Sequence, residues 1–508
     1  MKKFNINLST LLPGRHLRQT SRFLHPRPPN LSLTQPQRLI SISNPCNHPH
    51  SLRVDIVNEL EKRCLVAQVT SRAIRQHLME ERRTVYLGID PTARSLHLGN
   101  LLALVALFHF AINGHMTIIL LGGATGAVGD PSGRTSERMT LSQSELETNL
   151  NCIEQQIRKI LLVALEYAYE RIKQSDSQYS GKELIFPIVK NNLEWTEDVT
   201  LLDFLNKVGR NCRISSMLAR DSVKQRMNSK AGISFTEFAY QLLQAYDFSQ
   251  LHSRYGCSIQ LGGSDQYGNI MSGIELMARI RNHQAPSQDL SSHEGDDAAY
   301  GLTVPLLTSS KGEKFGKSAG NAVWLDPTLT PPVDLYQVFL RVPDTEALSY
   351  LKMLTFVPLS EIEDVGSRSE GRKREAQKLL AQEVVMLVHG AQGLQQALTA
   401  TEILFPGNDK IHMPRIKYDE AFKDSTHLVR MDPSDVFGSS IGSVAVTSGL
   451  CKSKREANTL LENAALTVNH KQTDSTKLIS QEDFVCEKYM IMMRGKGAYK
   501  VIVLEGIV

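Results

Sequence analysis

The chain has 508 residues, 41% hydrophobic and 22% charged, enough for two to four domains with a sizeable core. Its longest apolar stretch, 101–111, is too short to span a bilayer and contains His109. The seven Cys form no C-x-x-C pair and no Cys/His cluster with metal spacing, which argues against a disulfide framework, structural zinc or any other protein-held metal. The net charge of +4 is uneven: residues 1–54 hold eight Lys/Arg and no Asp or Glu, which leaves about −4 for the rest. An Arg-rich, acid-free, Ser-containing start is the composition of an organellar transit peptide, and mitochondrion fits better than chloroplast.

Along the chain, residues 55–82 read as one amphipathic helix. A βαβ unit follows: strand 84–89, turn 90–95, helix 98–112 stopped by Asn113-Gly114, and strand 116–121. Next come a Gly-rich loop, 122–133, and a long helix, 142–173. The polar stretches 175–182 and 284–297 read as surface insertions, with helices and short strands alternating over 184–282. Residues 333–405 are helix-rich, 408–426 reads as a linker, and 432–508 is a short α+β segment with a helix at 452–463 and strands at 465–468 and 499–504.

Two short strings carry the chemistry. His97-Leu98-Gly99-Asn100 sits at the turn from a strand into a helix. There Gly99 lets a ligand approach without a Cβ in the way, and the helix N-terminus attracts phosphate. Lys314-Phe315-Gly316-Lys317-Ser318 lies in a Gly- and Ser-rich stretch and puts two ammonium groups on one mobile loop. Such groups can close on departing phosphates and stabilise charge that develops in the transition state. A third pattern, Tyr240-x-x-x-Gln244-x-x-Asp247, puts three polar side chains near one helix face, and such a stripe needs a polar partner.

The two strings resemble the signatures of class I aminoacyl-tRNA synthetases. Residues 55–505 are similar to tyrosyl-tRNA synthetases, through Asp90-Pro91-Thr92-Ala93, Gly129-Asp130-Pro131-Ser132-Gly133, Asn191-Asn192, Ser234-Phe235-Thr236-Glu237-Phe238, Gln244-Ala245-Tyr246-Asp247 and Gly262-Gly263-Ser264-Asp265-Gln266. The resemblance implies a Rossmann-like doubly wound parallel sheet over 55–332. A helical tRNA-side domain with its linker would follow over 333–431, and a small α+β RNA-binding module, S4-like, over 432–508. It implies that a tyrosine phenol lies between Tyr86 and Asp247, and that its ammonium is held by Asp130, Tyr240 and Gln244 with Gln260 nearby. Adenosine would lie over Gly88, Asp90, Gly99 and Gly262, with Asp265 on the ribose and Gln266 beside the reacting carboxylate. Thr92 and His97 would address the terminal phosphate and Lys314 and Lys317 the pyrophosphate, with Asn100 and Ser318 as the further catalytic residues of the two signatures. ATP with Mg²⁺, L-tyrosine and tRNA(Tyr) are the implied substrates, a homodimer the implied assembly, and the mitochondrial matrix the implied location, with no membrane contact.

In the last segment the resemblance rests on Ser448–Ala457 and Leu466-Thr467-Val468-Asn469, and Lys452, Lys454 and Arg455 are the candidate RNA contacts. Residues 450–500 carry nine Lys/Arg against six Asp/Glu, so basicity is local inside an acidic body. The sequence departs from the family pattern at Asn100, where His is usual, at Arg134, where Lys is common, and at Leu87, where Cys often sits. Three alternatives stay open. The sister enzyme for tryptophan is disfavoured by the polar pair Tyr86 and Asp247, and a non-catalytic RNA-binding protein on this fold by the intact signatures. An oxidoreductase is disfavoured because no G-x-G-x-x-G follows the first strand.

Overall fold

The computed structural model describes residues 54–506 apart from 134–135, 137–140, 176–183, 285–298, 309–314, 316, 319–320, 369–373, 407–413, 424 and 496. The acid-free start and, but for their first residues, the two expected insertions lie outside the described residues.

A six-stranded sheet holds β1 (Gln68–Val69), β2 (Thr84–Ile89), β3 (Met116–Leu121), β4 (Ile188–Asn191), β5 (Cys257–Gly263) and β6 (Tyr300–Val304), in the order β1-β6-β5-β2-β3-β4. Only β1 is antiparallel to its neighbour. The inner strands β2, β3, β5 and β6 are buried along almost their whole length, as a parallel sheet covered on both faces requires. From β2 the chain winds outward through β3 to β4, then returns to build β5 and β6 on the other side of β2. The gap between β2 and β5 is therefore the point where winding reverses, and ligands of such sheets bind at its carboxyl edge.

Alternation along the strands sorts the side chains onto two faces. Val85, Leu87 and Ile89 of β2, with Ile259 and Leu261 of β5, enter the main core beside the almost wholly buried helix Leu98–Ile112. Tyr86 points the other way, toward the helix Phe235–Tyr255, and faces Gln260 across the β2–β5 ladder.

The single helix expected over 55–82 is instead Ile56–Lys62, then β1, then Ile74–Glu80. Cys64 adopts a left-handed φ of 59°, and Leu65 N–H donates to the Leu60 carbonyl. This αL closure, with Leu60 and Leu65 both buried, ends the first helix after two turns. The segment then pairs with β6 at Gln68 and Val69.

Helices Pro332–Leu340, Asp344–Leu354, Leu359–Arg368 and Glu375–Leu404 follow the sheet. The last is kinked at Gly390, where φ is 70°. Tyr167 and Arg171 of the long helix Gln143–Ser175 bind Glu383 at 2.8 and 3.2 Å, tying this bundle to the sheet domain. Between sheet and bundle, β7 (Lys317–Ser318) and β8 (Asn321–Ala322) form a small antiparallel ladder.

The C-terminal sheet comprises β9 (Leu428–Met431), β10 (Leu466–Val468), β11 (Lys471–Gln472), β12 (Tyr489–Arg494) and β13 (Ala498–Leu504), in the order β11-β10-β12-β13-β9. One face, with Met490, Met492 and Ile502, packs on the helices Ile441–Thr447 and Lys454–Glu462. The opposite face, with Tyr489, Ile491, Tyr499 and Val501, packs on Val333, Ile403, Tyr418 and Phe422. Two expectations need correction. The linker contains the helix Arg415–Phe422, because Tyr418, Ala421 and Phe422 supply apolar surface for that second face. The sheet also begins before 432, since β9 pairs in parallel with β13.

Candidate functional site

At the reversal point lies one cavity of about 560 Å³, within the usual range for small-molecule sites. Tyr86, Gly88 and Asp90 reach it from β2 and the residue after it, Thr92 from the turn, and His97, Gly99 and Asn100 from the helix start. Asp130 comes from the Gly-rich loop, and Tyr240, Gln244 and Asp247 from the helix Phe235–Tyr255. Gln260, Gly262, Asp265 and Gln266 come from β5 and the turn after it. All of these candidates line the same space. Two residues on from the facing pair Tyr86 and Gln260, on the same faces of their strands, Gly88 and Gly262 carry no side chain, which keeps the mouth open above that pair.

The floor is polar within an apolar wall. Asp247 Oδ1 accepts from Trp195 Nε1 at 2.8 Å, and Oδ2 from Asn192 Nδ2 at 2.9 Å. Burial pushes its carboxyl up to about 7, against these two donors. The Tyr86 hydroxyl and Gln260 Oε1 are buried and make no hydrogen bond among the described residues. Asp247 and Tyr86 make no direct hydrogen bond to each other: both oxygens of Asp247 are held by Trp195 and Asn192, while the Tyr86 ring packs 5.2 Å from Phe248. Two unspent polar groups at the bottom of the pocket suit a ligand that ends in a hydroxyl.

Above the floor, acidic groups are held by neutral donors. Asp90 accepts from Tyr240 Oη at 2.8 Å and from Thr125 Oγ1 at 2.7 Å. Tyr240, assigned to a substrate amine by resemblance, thus donates its hydroxyl to Asp90, across the cavity. Asp130 accepts from Gln266 Nε2 at 2.6 Å, the Ser132 N–H at 3.0 Å and Asn269 Nδ2 at 3.3 Å. Carboxylates gathered at one end of a cavity make a region that attracts a cation.

At the other end, His97 caps the helix Leu98–Ile112. Its Nδ1 accepts from the Gly99 N–H at 3.1 Å, and Asn100 Oδ1 accepts from the His97 N–H at 3.0 Å. This reciprocal cap gives Asn100 a structural use that needs no cationic side chain. A Cβ on Gly99 would sit 2.9 Å from the His97 ring, so a larger residue there would push the capping imidazole aside.

The second signature comes alongside by backbone pairing. Leu98 N–H donates to the Val323 carbonyl at 3.2 Å, and Leu325 N–H to that of Leu96 at 2.8 Å. Phe315 lines the same cavity and anchors its loop on Phe339 and Tyr350. Lys314 lies outside the described residues, as do the side chains of Lys317 and Ser318, whose backbone forms β7. Arg134 lies outside them too.

Lys452, Lys454 and Arg455 are exposed and do not line the cavity. They stand at the start of the helix Lys454–Glu462, the end where cations oppose the helix dipole. Ser453 and Glu456 supply the cap instead: Ser453 Oγ accepts from the Glu456 N–H at 3.2 Å, and Glu456 Oε2 from the Lys452 N–H at 2.7 Å. These cations contribute little to the helix and are free to face an anionic surface.

Sequence reasoning assigns no role to Thr125 and Asn192, which line the cavity, or to Trp195 and Asn269, which hold it from behind. The spacings Asn192-x-x-Trp195 and Gln266-x-x-Asn269 were the available signals, each placing two polar groups one helical turn apart.

The family model for tRNA synthetases class I (W and Y) matches residues 78–406, and that for the tyrosine–tRNA ligase SYY-like C-terminal domain matches 423–502. Over 452 residues the chain is 40% identical to the chloroplastic/mitochondrial tyrosine–tRNA ligase of Arabidopsis thaliana, covering 87% of this chain and 82% of that protein. It is 45% identical over 339 residues to the mitochondrial tyrosine–tRNA ligase of Drosophila melanogaster, covering 66% and 68%. Among solved structures, a C-terminally truncated mitochondrial tyrosyl-tRNA synthetase of Aspergillus nidulans shares 35% identity at a TM-score of 0.61, covering 70% of this chain and 95% of that one.

Proposed function

Because the chain belongs to the class I tyrosine–tRNA ligases, which join tyrosine to tRNA at the expense of ATP, we propose that the cavity at the β2–β5 reversal performs both steps and that its residues divide the work along its length. The observation that carries this reading is the pocket floor: an unspent Tyr86 hydroxyl and Gln260 carbonyl beside the twice-bonded Asp247. The substrate phenol binds among these groups. Its ammonium sits in the negative region of Asp130, Tyr240 and Gln244, which leaves the carboxylate near Gln266 under the open edge at Gly88 and Gly262.

ATP lies along that edge, with its ribose on Asp265 and its phosphates toward Thr92 and the His97 end of the helix, whose dipole favours anions. A tyrosine carboxylate oxygen attacks the α-phosphorus. A P–O bond forms, the bond to pyrophosphate breaks, and the departing charge is met by Lys314 and Lys317. A ribose hydroxyl at the tRNA terminus then attacks the activated carbonyl and releases AMP. Neither step forms a bond to the protein, so rate comes from positioning and charge stabilisation. Mg²⁺ arrives with ATP as part of the substrate; among the described residues no three His, Cys, Asp or Glu side chains converge on a metal position.

The exposed basic cluster Lys452, Lys454 and Arg455 contacts tRNA phosphates. The chain acts as a homodimer, a reading supported by exposed Leu201, Leu202, Ile214 and Phe235, the last 80% accessible. It works in the mitochondrial matrix, supported by the acid-free start and by relatives named as mitochondrial. Among the described residues no helix is long and apolar enough to cross a membrane. ATP–pyrophosphate exchange with tyrosine, tryptophan and phenylalanine in parallel tests the site: exchange driven equally by tryptophan or phenylalanine would overturn the phenol pocket.

A further inference from the structure

Behind the amine end of the cavity, Asn269 occupies an unusual position. It is buried near the start of the helix Tyr267–Gln284 and does not itself line the cavity. Its carboxamide nitrogen lies 3.1 Å from Gln244 Oε1, 3.2 Å from Gln266 Oε1, 3.3 Å from Asp130 Oδ1 and 3.2 Å from Ser132 Oγ. An amide NH₂ has two hydrogens, while the first three of these oxygens can only accept. Four oxygens share this one NH₂, and one of them belongs to a carboxylate buried to 6% exposure. Two hydrogens serve four oxygens only in part, and an ammonium brings three more N–H groups and a positive charge.

We infer that Asn269 is a positioning residue for amine recognition: its NH₂ holds the carbonyls of Gln244 and Gln266 beside the Asp130 carboxylate, so that the three offer acceptors at one place to the substrate ammonium. Without Asn269, Gln244 Oε1 has no hydrogen-bond partner among the described residues, and its amide can rotate to present NH₂ in place of the carbonyl, which repels a cation. Gln266 already donates to Asp130 Oδ2 at 2.6 Å through its own NH₂, so the carbonyl end held by Asn269 is what keeps the arrangement open to a ligand. The inference rests on assigning this end of the cavity to the substrate amine.

The test uses the full-length chain in ATP–pyrophosphate exchange. It measures KM for tyrosine and ATP, and inhibition by tyramine, which keeps the amine, and by 3-(4-hydroxyphenyl)propanoate, which lacks it. Asn269→Ala is expected to raise the tyrosine KM and tyramine Ki by about tenfold or more, the scale of losing a hydrogen bond to a charged group. The propanoate Ki and ATP KM should stay within about twofold. Asn269→Ser, which keeps one donor, should show the same split to a smaller degree and carries the test if the Ala variant does not fold. A uniform change in all four constants, or none, overturns the inference. Asp130→Asn separates the two assignments. If it leaves tyramine binding intact, this end is not the amine site. If it abolishes tyramine binding while Asn269→Ala does not, the amine site stands and Asn269 has no part in it.

Discussion

Asp247 shows how one carboxyl can carry two opposite pH dependences. Burial raises its pKa from 3.8 to about 7, so the folded, ligand-free chain holds this proton more tightly than the unfolded chain. Stability from this group is therefore full below pH ~4 and declines as pH rises to about 7, by roughly 4 kcal/mol at most for a shift of this size. Melting temperatures from pH 4.5 to 8 should show that downward slope in the wild type and a flatter one in Asp247→Asn. Tyrosine binding runs the other way, because a phenol needs the carboxylate as acceptor: the tyrosine Kd should weaken as pH falls below 7, and Asp247→Asn should bind poorly at every pH. A pH-independent wild-type Kd would disconnect Asp247 from the phenol. Tyr86→Phe removes only the unspent hydroxyl and should cost about 1 kcal/mol of tyrosine affinity, or about fivefold, with the ATP KM unchanged. Lys317→Ala should instead lower kcat for exchange by about 10²–10³ with little change in tyrosine Kd, because its charge meets one that exists only in the transition state. An unchanged kcat with weakened tyrosine binding would refute that role.

The helix Leu98–Ile112 joins two demands in one short string. Its N-terminus must be capped, and His97 with Asn100 does this, while the same turn opens on the cavity. Losing the Asn100 cap should cost about 1 kcal/mol. Asn100→Ala should therefore lower Tm modestly and shift ATP KM more than tyrosine KM, whereas an effect on tyrosine alone would place Asn100 elsewhere. The helix Lys454–Glu462 shows the converse: Lys454 and Arg455 occupy the end where the dipole disfavours them. Replacing Lys452, Lys454 and Arg455 with Ala should leave Tm and pyrophosphate exchange unchanged and weaken tRNA binding. The salt slope of log K should also become shallower, by about one for each phosphate that is no longer neutralised. An unchanged salt slope would put the tRNA-binding cations on another surface.

Across the molecule, the C-terminal sheet is buried on both faces, and one face rests on the helical bundle. His427 and Tyr499 both bond Asp334 of the bundle, and His470 reaches the Ile403 carbonyl at 2.9 Å. A cut at 432 would strand β9 and the helix Arg415–Phe422 without the sheet they pack on, and should yield poorly soluble protein. A cut after Pro406 removes them together. It should retain pyrophosphate exchange, since the described cavity lining ends at Phe315, and lose most tRNA charging. Equal loss of both activities would mean that the sheet supports the bundle's fold rather than tRNA. Phe235→Asp should shift the chain toward monomer in sedimentation, because burying a charge at a self-contacting patch is costly; an unchanged oligomeric state would exclude this surface as the interface.

Local pattern alone was enough for β2, the helix Leu98–Ile112 and β3, whose bounds match the apolar runs and the Asn113-Gly114 stop. It was also enough for the polar stripe Tyr240, Gln244 and Asp247, because helical spacing is a property of neighbours in sequence. The first helix was read too long, because the αL turn at Cys64 rests on Leu60 and Leu65 sharing a core that the sequence does not display. The helix Arg415–Phe422 was missed for the same reason, its apolar side having no partner within its own segment. Tertiary structure alone decided that Asp247 is held by Asn192 and Trp195, and that Asn269 stands behind Gln244, Gln266 and Asp130. Hydrogen-bond partners far apart in sequence are chosen by which polar atoms burial leaves facing one another, and that depends on how whole layers pack.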